Sequence, residues 1–124
     1  MEPIFDRHGK TVAWRHRDYI YDLDGKACAL IRERSVFTFE GQYRGRFEDG
    51  YYRDPQSRAV AFEEGATGGP LKPVPKRGAI APPPYDLPHP PEIEAVPPPP
   101  PFRANAWSDL SWDDFLQGKS VASG

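Results

Sequence analysis

Residues 3–66 read PIFDRHGKTVAWRHRD (3–18), YIYDLDGKACALIRER (19–34), SVFTFEGQYRGRFEDG (35–50) and YYRDPQSRAVAFEEGA (51–66), four 16-residue units that align without a gap. Gly9, Gly25 and Gly41 fall in register, and Ser57 takes the fourth place in the turn-rich string Asp54-Pro55-Gln56-Ser57. Ahead of them stand Ile4-Phe5, Ile20-Tyr21, Val36-Phe37 and the less regular Tyr52-Arg53, followed by Asp6, Asp22 and Asp54 in three of the units. β-branched and aromatic residues that run into Asp and Gly spell a strand and then a turn. After the turn, Val12, Cys28 and Val60 share one position, and Trp14, Leu30 and Phe62 share the position two further on. The period of two sends both sets to one face of a returning strand. Between them every unit has a small residue, Ala13, Ala29, Gly45 or Ala61, which predicts crowding near a symmetry axis.

A 16-residue unit has no room for a strand, a helix and a parallel return strand, so each unit is an antiparallel hairpin. A lone hairpin is unstable in water, whereas four around an axis share a core and reduce free edges. The expected fold is all-β, with four hairpin repeats about a pseudo-fourfold axis in a shallow barrel. The third unit departs from the pattern, because Arg44 and Arg46 occupy positions that are apolar in the other three. Either that hairpin turns Tyr43, Gly45 and Phe47 inward, or two guanidinium groups sit near the core and form an anion-binding spot.

Outside the repeat the composition changes. Of the 16 prolines, 14 lie between Pro70 and Pro101. So many missing donors and fixed φ angles exclude helix and sheet there. The chain therefore divides into a hairpin domain at 1–66, a proline-rich linker at 67–104 that is disordered or polyproline II, a short aromatic and acidic segment at 105–118, and a disordered end at 119–124. The run Pro97 to Pro101 reads as a spacer or as a ligand for an aromatic-lined groove. Trp107, Leu110, Trp112, Phe115 and Leu116 crowd one short window, which is too apolar for a free tail. Ser108 or Ser111 with the following aspartates predicts an N-cap, and Trp112, Phe115 and Leu116 then share one helical stripe. That segment docks on its own domain, in this chain or a neighbouring copy, or else it recognises another protein.

The balance of charge argues against nucleic acid, since residues 1–66 carry 11 Lys/Arg against 12 Asp/Glu and the remainder 5 against 6. No apolar run approaches the length of a membrane span. A single cysteine, Cys28, excludes an intrachain disulfide and fits a reducing, cytoplasmic setting. His8, His16, Cys28 and His89 lack metal-ligand spacing, so neither a metal nor a cofactor is expected. No Ser-His-Asp pattern or phosphate loop is present, and the three recurring aspartates read as turn residues.

The string I-F-D-R-H-G-K-T-V-A-W, its echoes at 19–31 and 51–62, E-G-A-T-G-G-P-L-K-P-V and the terminal S-D-L-S-W-D-D-F resemble the fourfold β-flower proteins. The resemblance implies hairpin petals around a short, shallow barrel and brings no established activity with it. The expected role is a non-catalytic binding or assembly module, not an enzyme. Its apolar mouth is lined by Trp14, Leu30 and Phe62 or their neighbours. The mouth is expected to take the C-terminal aromatic segment, a partner peptide or a small apolar, lipid-like group. The alternative is a small enzyme or accessory subunit whose site, with His8 or His16 beside an acid from another hairpin, forms only on oligomerisation.

Overall fold

The computed structural model describes residues 2–76, 80, 92–93, 96–99, 102 and 104–119. His89, Pro100, Pro101 and the end at 120–124 lie outside the described residues. Among the described residues eight antiparallel strands run β1 (Glu2–Asp6), β2 (Thr11–His16), β3 (Tyr19–Tyr21), β4 (Ala27–Arg32), β5 (Ser35–Phe37), β6 (Tyr43–Glu48), β7 (Tyr51–Arg53) and β8 (Ala59–Glu63), and one helix follows, α1 (Trp112–Gln117). Each strand pairs with its neighbours in sequence, and β8 pairs with β1, so the sheet closes into a barrel with no free edge. The all-β fourfold arrangement expected from the repeat is what the chain adopts.

The turn inside each hairpin is made the same way four times. Asp6 accepts at Oδ1 from the backbone N–H of His8 and Lys10, at 2.9 and 3.0 Å. Asp22 and Asp54 repeat the pattern, while in the third hairpin Thr38 Oγ1 accepts from Gln42 N–H at 3.2 Å. Gly9, Gly25, Gly41 and Ser57 then take φ of 80°, 88°, 83° and 65°, the left-handed step that reverses the chain.

The register of each hairpin slips once, at one common position. Ile4 pairs with Ala13 and Phe5 with Thr11, which leaves Val12 as a bulge; Cys28, Arg44 and Val60 are the bulged residues of the other three. This slip corrects the face assignment made from simple alternation. Val60 joins the interior cluster and Val12 and Cys28 pack against it, together with the small residues, whereas Trp14, Leu30 and Phe62 fall on the opposite, outer face. The barrel interior is built from Ile4, Ile20, Val36 and Tyr52 facing Ala13, Ala29, Gly45 and Ala61. All of these are buried, so the small residues do stand where the strands crowd around the axis.

Of the three residues expected to turn inward in the third hairpin, Gly45 and Phe47 face the core, while the bulge leaves Tyr43 beside Phe37 on the outer face. Like the others this hairpin sends its small residue, Gly45, inward, with Phe47 packed against the core, while Arg46 lies outside in an ion pair with Glu48 at 2.6 Å. Arg44 sits at the bulge, on the rim of the barrel.

Candidate functional site

One end of the barrel is plugged by its own side chains. Arg15 and Glu63 form a two-pronged ion pair with N–O distances of 2.6 and 2.9 Å, and the Tyr52 hydroxyl donates to the same carboxylate at 2.6 Å. The Arg15 guanidinium also lies 5.4 Å from the centre of the Phe47 ring. Burial, followed by the charge of Glu63, holds the Tyr52 hydroxyl well above its ordinary pKa, so it stays a proton donor. Every group in this cluster has its partner within the barrel, so it fills that end as a satisfied polar plug.

The other end is the mouth, rimmed by the bulged residues Val12, Cys28, Arg44 and Val60, and α1 closes it. Ser111 caps the helix, its Oγ accepting from Asp114 N–H at 3.1 Å, and Asp113 and Asp114 sit in the first turn where the helix dipole favours negative charge. Gly118 ends it at φ 72°. Trp112 and Phe115 enter the interior cluster, with the Trp112 ring edge-on to Tyr52 at 5.3 Å. Phe115 reaches so far that a Cβ on Gly45 would stand 2.7 Å from its Cε1. Arg44 Nε donates to the Leu116 carbonyl at 2.8 Å, meeting one of the carbonyls that the helix leaves open at its negative end. Burial pushes the pKa of the Cys28 thiol up to about 12, with Asp22 and Asp113 adding to the effect, so this partly buried cysteine stays protonated at neutral pH.

The approach to the mouth is anchored on the fourth hairpin. Residues 106–108 add a short parallel bridge to β8, Ala59 N–H donating to Ala106 O at 3.0 Å and Ser108 N–H to Ala59 O at 2.7 Å. Trp107 packs against Phe62 and Tyr51 with ring centres 6.0 and 6.3 Å away. Ser108 Oγ donates to Asp54 Oδ2 at 2.6 Å and accepts from Leu110 N–H at 3.1 Å. Arg53, only 1% exposed, donates to the carbonyls of Ser57, Gly68 and Ala104, and thus ties the turn, the start of the linker and its end together.

Sequence reading singled out Trp107, Leu110, Trp112, Phe115, Leu116 and Arg44, and the structure brings all six to the mouth or its approach. Phe62 meets Trp107 at the approach, on the outer face, whereas Trp14, Leu30 and Arg46 stand away from the mouth, which is lined instead by the neighbours two residues before these four. The sequence reading gave Arg53 no role, and it read Asp54 as a turn residue and Ser108 as a candidate cap without foreseeing the bond between them. Arg53 carried a signal, because it interrupts a column otherwise made of Phe5, Tyr21 and Phe37.

A family model described as 4-fold beta flower protein matches residues 2–116. This chain belongs to the 4-fold β-flower family. No curated protein and no solved structure matches it. In this β-flower the described part of the linker touches the rim more than once: Lys76 N–H donates to Gly9 O at 2.8 Å, and Glu92 O lies 3.5 Å from where a Cβ on Gly41 would stand. His8 shares a groove of about 260 Å³ with Asp6 and Asp109, so the acids near it come from its own hairpin and the tail, not from another hairpin. Among the described residues no group of three His, Cys, Asp or Glu side chains could hold a metal ion. None of their helices is long and apolar enough to cross a membrane.

Proposed function

We propose that this β-flower is a non-catalytic binding module whose mouth receives a short, capped helix with aromatic anchors three residues apart, and that its own residues 111–118 hold the site in the resting molecule. The observation that carries this reading is the seat of Phe115. It packs over Gly45, which stands where the other three hairpins have alanine, and the neighbouring Arg44 donates to the end of the same helix. Two departures from the fourfold pattern, side by side, serve one ligand. The matching chemistry in a partner protein is a segment of the Ser-Trp-acid-acid-Phe-Leu type, which docks as an amphipathic helix does in a groove. A reducing, cytoplasmic setting fits a module that relies on no disulfide.

A tethered segment competes at an effective concentration of about millimolar, so a free peptide of micromolar affinity does not displace it. The test is therefore made on the full chain carrying Trp112→Ala and Phe115→Ala. A labelled peptide spanning 107–119 is expected to bind this variant saturably and the unsubstituted chain at least tenfold more weakly. A folded variant that ignores the peptide would overturn the proposal.

A further inference from the structure

The tail meets the barrel in two places, through separate sets of side chains. Trp107 packs with Phe5, Tyr51, Ala59, Phe62 and Ala66 in a cluster on the outer face, whereas Trp112 and Phe115 belong to the interior cluster, and no side chain is a member of both. Each place is prepared by departures from the repeat on a different hairpin. The third hairpin offers Arg44 and Gly45 to α1. The fourth offers Arg53, in a column otherwise aromatic, and Asp54, which builds its turn through Oδ1 as Asp6 and Asp22 do but also accepts from Ser108 through Oδ2.

The two attachments differ in kind. Residues 104–108 are held by directional bonds: the Ala59 backbone bonds to both Ala106 and Ser108, and Arg53 donates to the Ala104 carbonyl at 3.0 Å. The Ser108–Asp54 bond is buried, with the two residues 1% and 2% exposed. A competing segment would have to match these partners atom by atom or leave buried groups unpaired. The helix is held by the rings of Trp112 and Phe115, by Leu116 packed against them, and by the Arg44 bond to the Leu116 carbonyl. Another amphipathic helix can reproduce that set. Six residues of helix are unstable alone in water, so α1 forms on the barrel and melts when it leaves. Between the attachments, Asp109, Leu110 and Ser111 border a groove of about 260 Å³ beside the turn of the first hairpin, so the joint has room to move.

We propose that the tail is a hinged lid: residues 104–108 are a fixed clamp, residues 111–118 are the part that leaves the mouth, and the hinge lies between Ser108 and Ser111. A partner helix then exchanges with α1 alone. The displaced α1 stays tethered beside the mouth and keeps competing, so the exchange reverses when the partner becomes scarce. That exchange rests on the mouth being a helix-binding site, whereas the division of the tail into clamp and lid stands by itself.

The test compares two blocked peptides, 107–119 and 111–119, on the full chain carrying Trp112→Ala and Phe115→Ala, and follows Trp107 in the same samples by NMR. The clamp is expected to persist, with cross-peaks from the Trp107 indole to the Tyr51 and Phe62 rings. The two peptides should then bind within about twofold of each other, because the seats of Trp107 and Ser108 are taken. If the clamp leaves with the helix, the cross-peaks vanish and the longer peptide binds about tenfold tighter or more by filling those seats; either result overturns the hinge. If neither peptide binds, the mouth is not a helix site, and the Trp107 cross-peaks still decide whether the clamp stands without the lid. Hydrogen exchange on the unsubstituted chain needs no variant: the Phe115 amide, bonded to Ser111 O, should be about tenfold less protected than the amides of Ala59 and Ser108. Equal protection would overturn the proposal.

Discussion

Gly45 shows how one residue can hold one role that a repeat makes visible and another that it does not. Its alignment with Ala13, Ala29 and Ala61 marks a crowded inward position, and the interior bears that out. Its being glycine rather than alanine has a separate cause: an added Cβ would press on the Arg53 carbonyl and stand 2.7 Å from Phe115 Cε1. The carbonyl is the nearer of the two and a closed sheet holds it in place, so the substitution strains β6 against β7 as well as displacing Phe115 and the helix that carries it. Gly45→Ala is therefore expected to cost about 1–3 kcal/mol, the usual penalty of overpacking. Thermal unfolding should report a lower Tm, and the fluorescence of Trp112 should shift as its indole loses the barrel wall. An unchanged Tm and spectrum would show that Phe115 does not fill this space. The contact was invisible in the sequence because it joins positions 45 and 115, and nothing local in either stretch encodes their pairing.

At the scale of elements, strand and turn positions were legible because each unit states them again, whereas the bulge was not. Simple alternation assigned Val12 and Trp14 to one face, and a single extra residue per hairpin separated them. The connections between hairpins carry a different tension. Asp49 and Gly50 join β6 to β7 with φ of 50° and 88°, a residue pair suited to a tight turn with two left-handed steps. Glu33 and Arg34 make the β4–β5 connection with φ of 50° and 67°, although neither residue favours that region. Left-handed backbone costs such residues about 1–2 kcal/mol each. The double substitution Glu33→Asn with Arg34→Gly should recover about 1 kcal/mol or more, and a gain of 1 kcal/mol raises the Tm of a domain this small by about 4–8 °C. A Tm that stays put would mean that the second and third hairpins bend to relieve the turn.

At the scale of the molecule, closure of the sheet removes the edges but leaves the mouth open over Ile4, Ile20, Val36 and the small residues, and the C-terminal segment covers it. A barrel made from about sixty residues lies where domains are marginal on their own. Four side chains of the tail, Trp107, Leu110, Trp112 and Phe115, pack on it, and burying a large apolar side chain contributes about 1.5–3 kcal/mol. Their sum is comparable to the whole stability of an ordinary domain, about 5–15 kcal/mol. The sequence announced the need for such a cover through the aromatic density of residues 107–116 and offered the mouth as one seat for it, but not the contacts that hold it there, since a proline-rich linker sets reach without setting direction. A chain ending at residue 103 should therefore unfold at least 15 °C below the full-length protein, with loss of near-ultraviolet circular dichroism from the core rings. Adding a peptide of residues 104–119 should restore part of that stability in proportion to its concentration, as linkage requires of anything that binds only the folded state. If the shortened chain melts with the full-length one, the barrel supports itself and the helix is a passenger on a finished fold. If it melts early and the peptide rescues it, the tail is the last element of the core, and any partner that takes the mouth must supply the same cover.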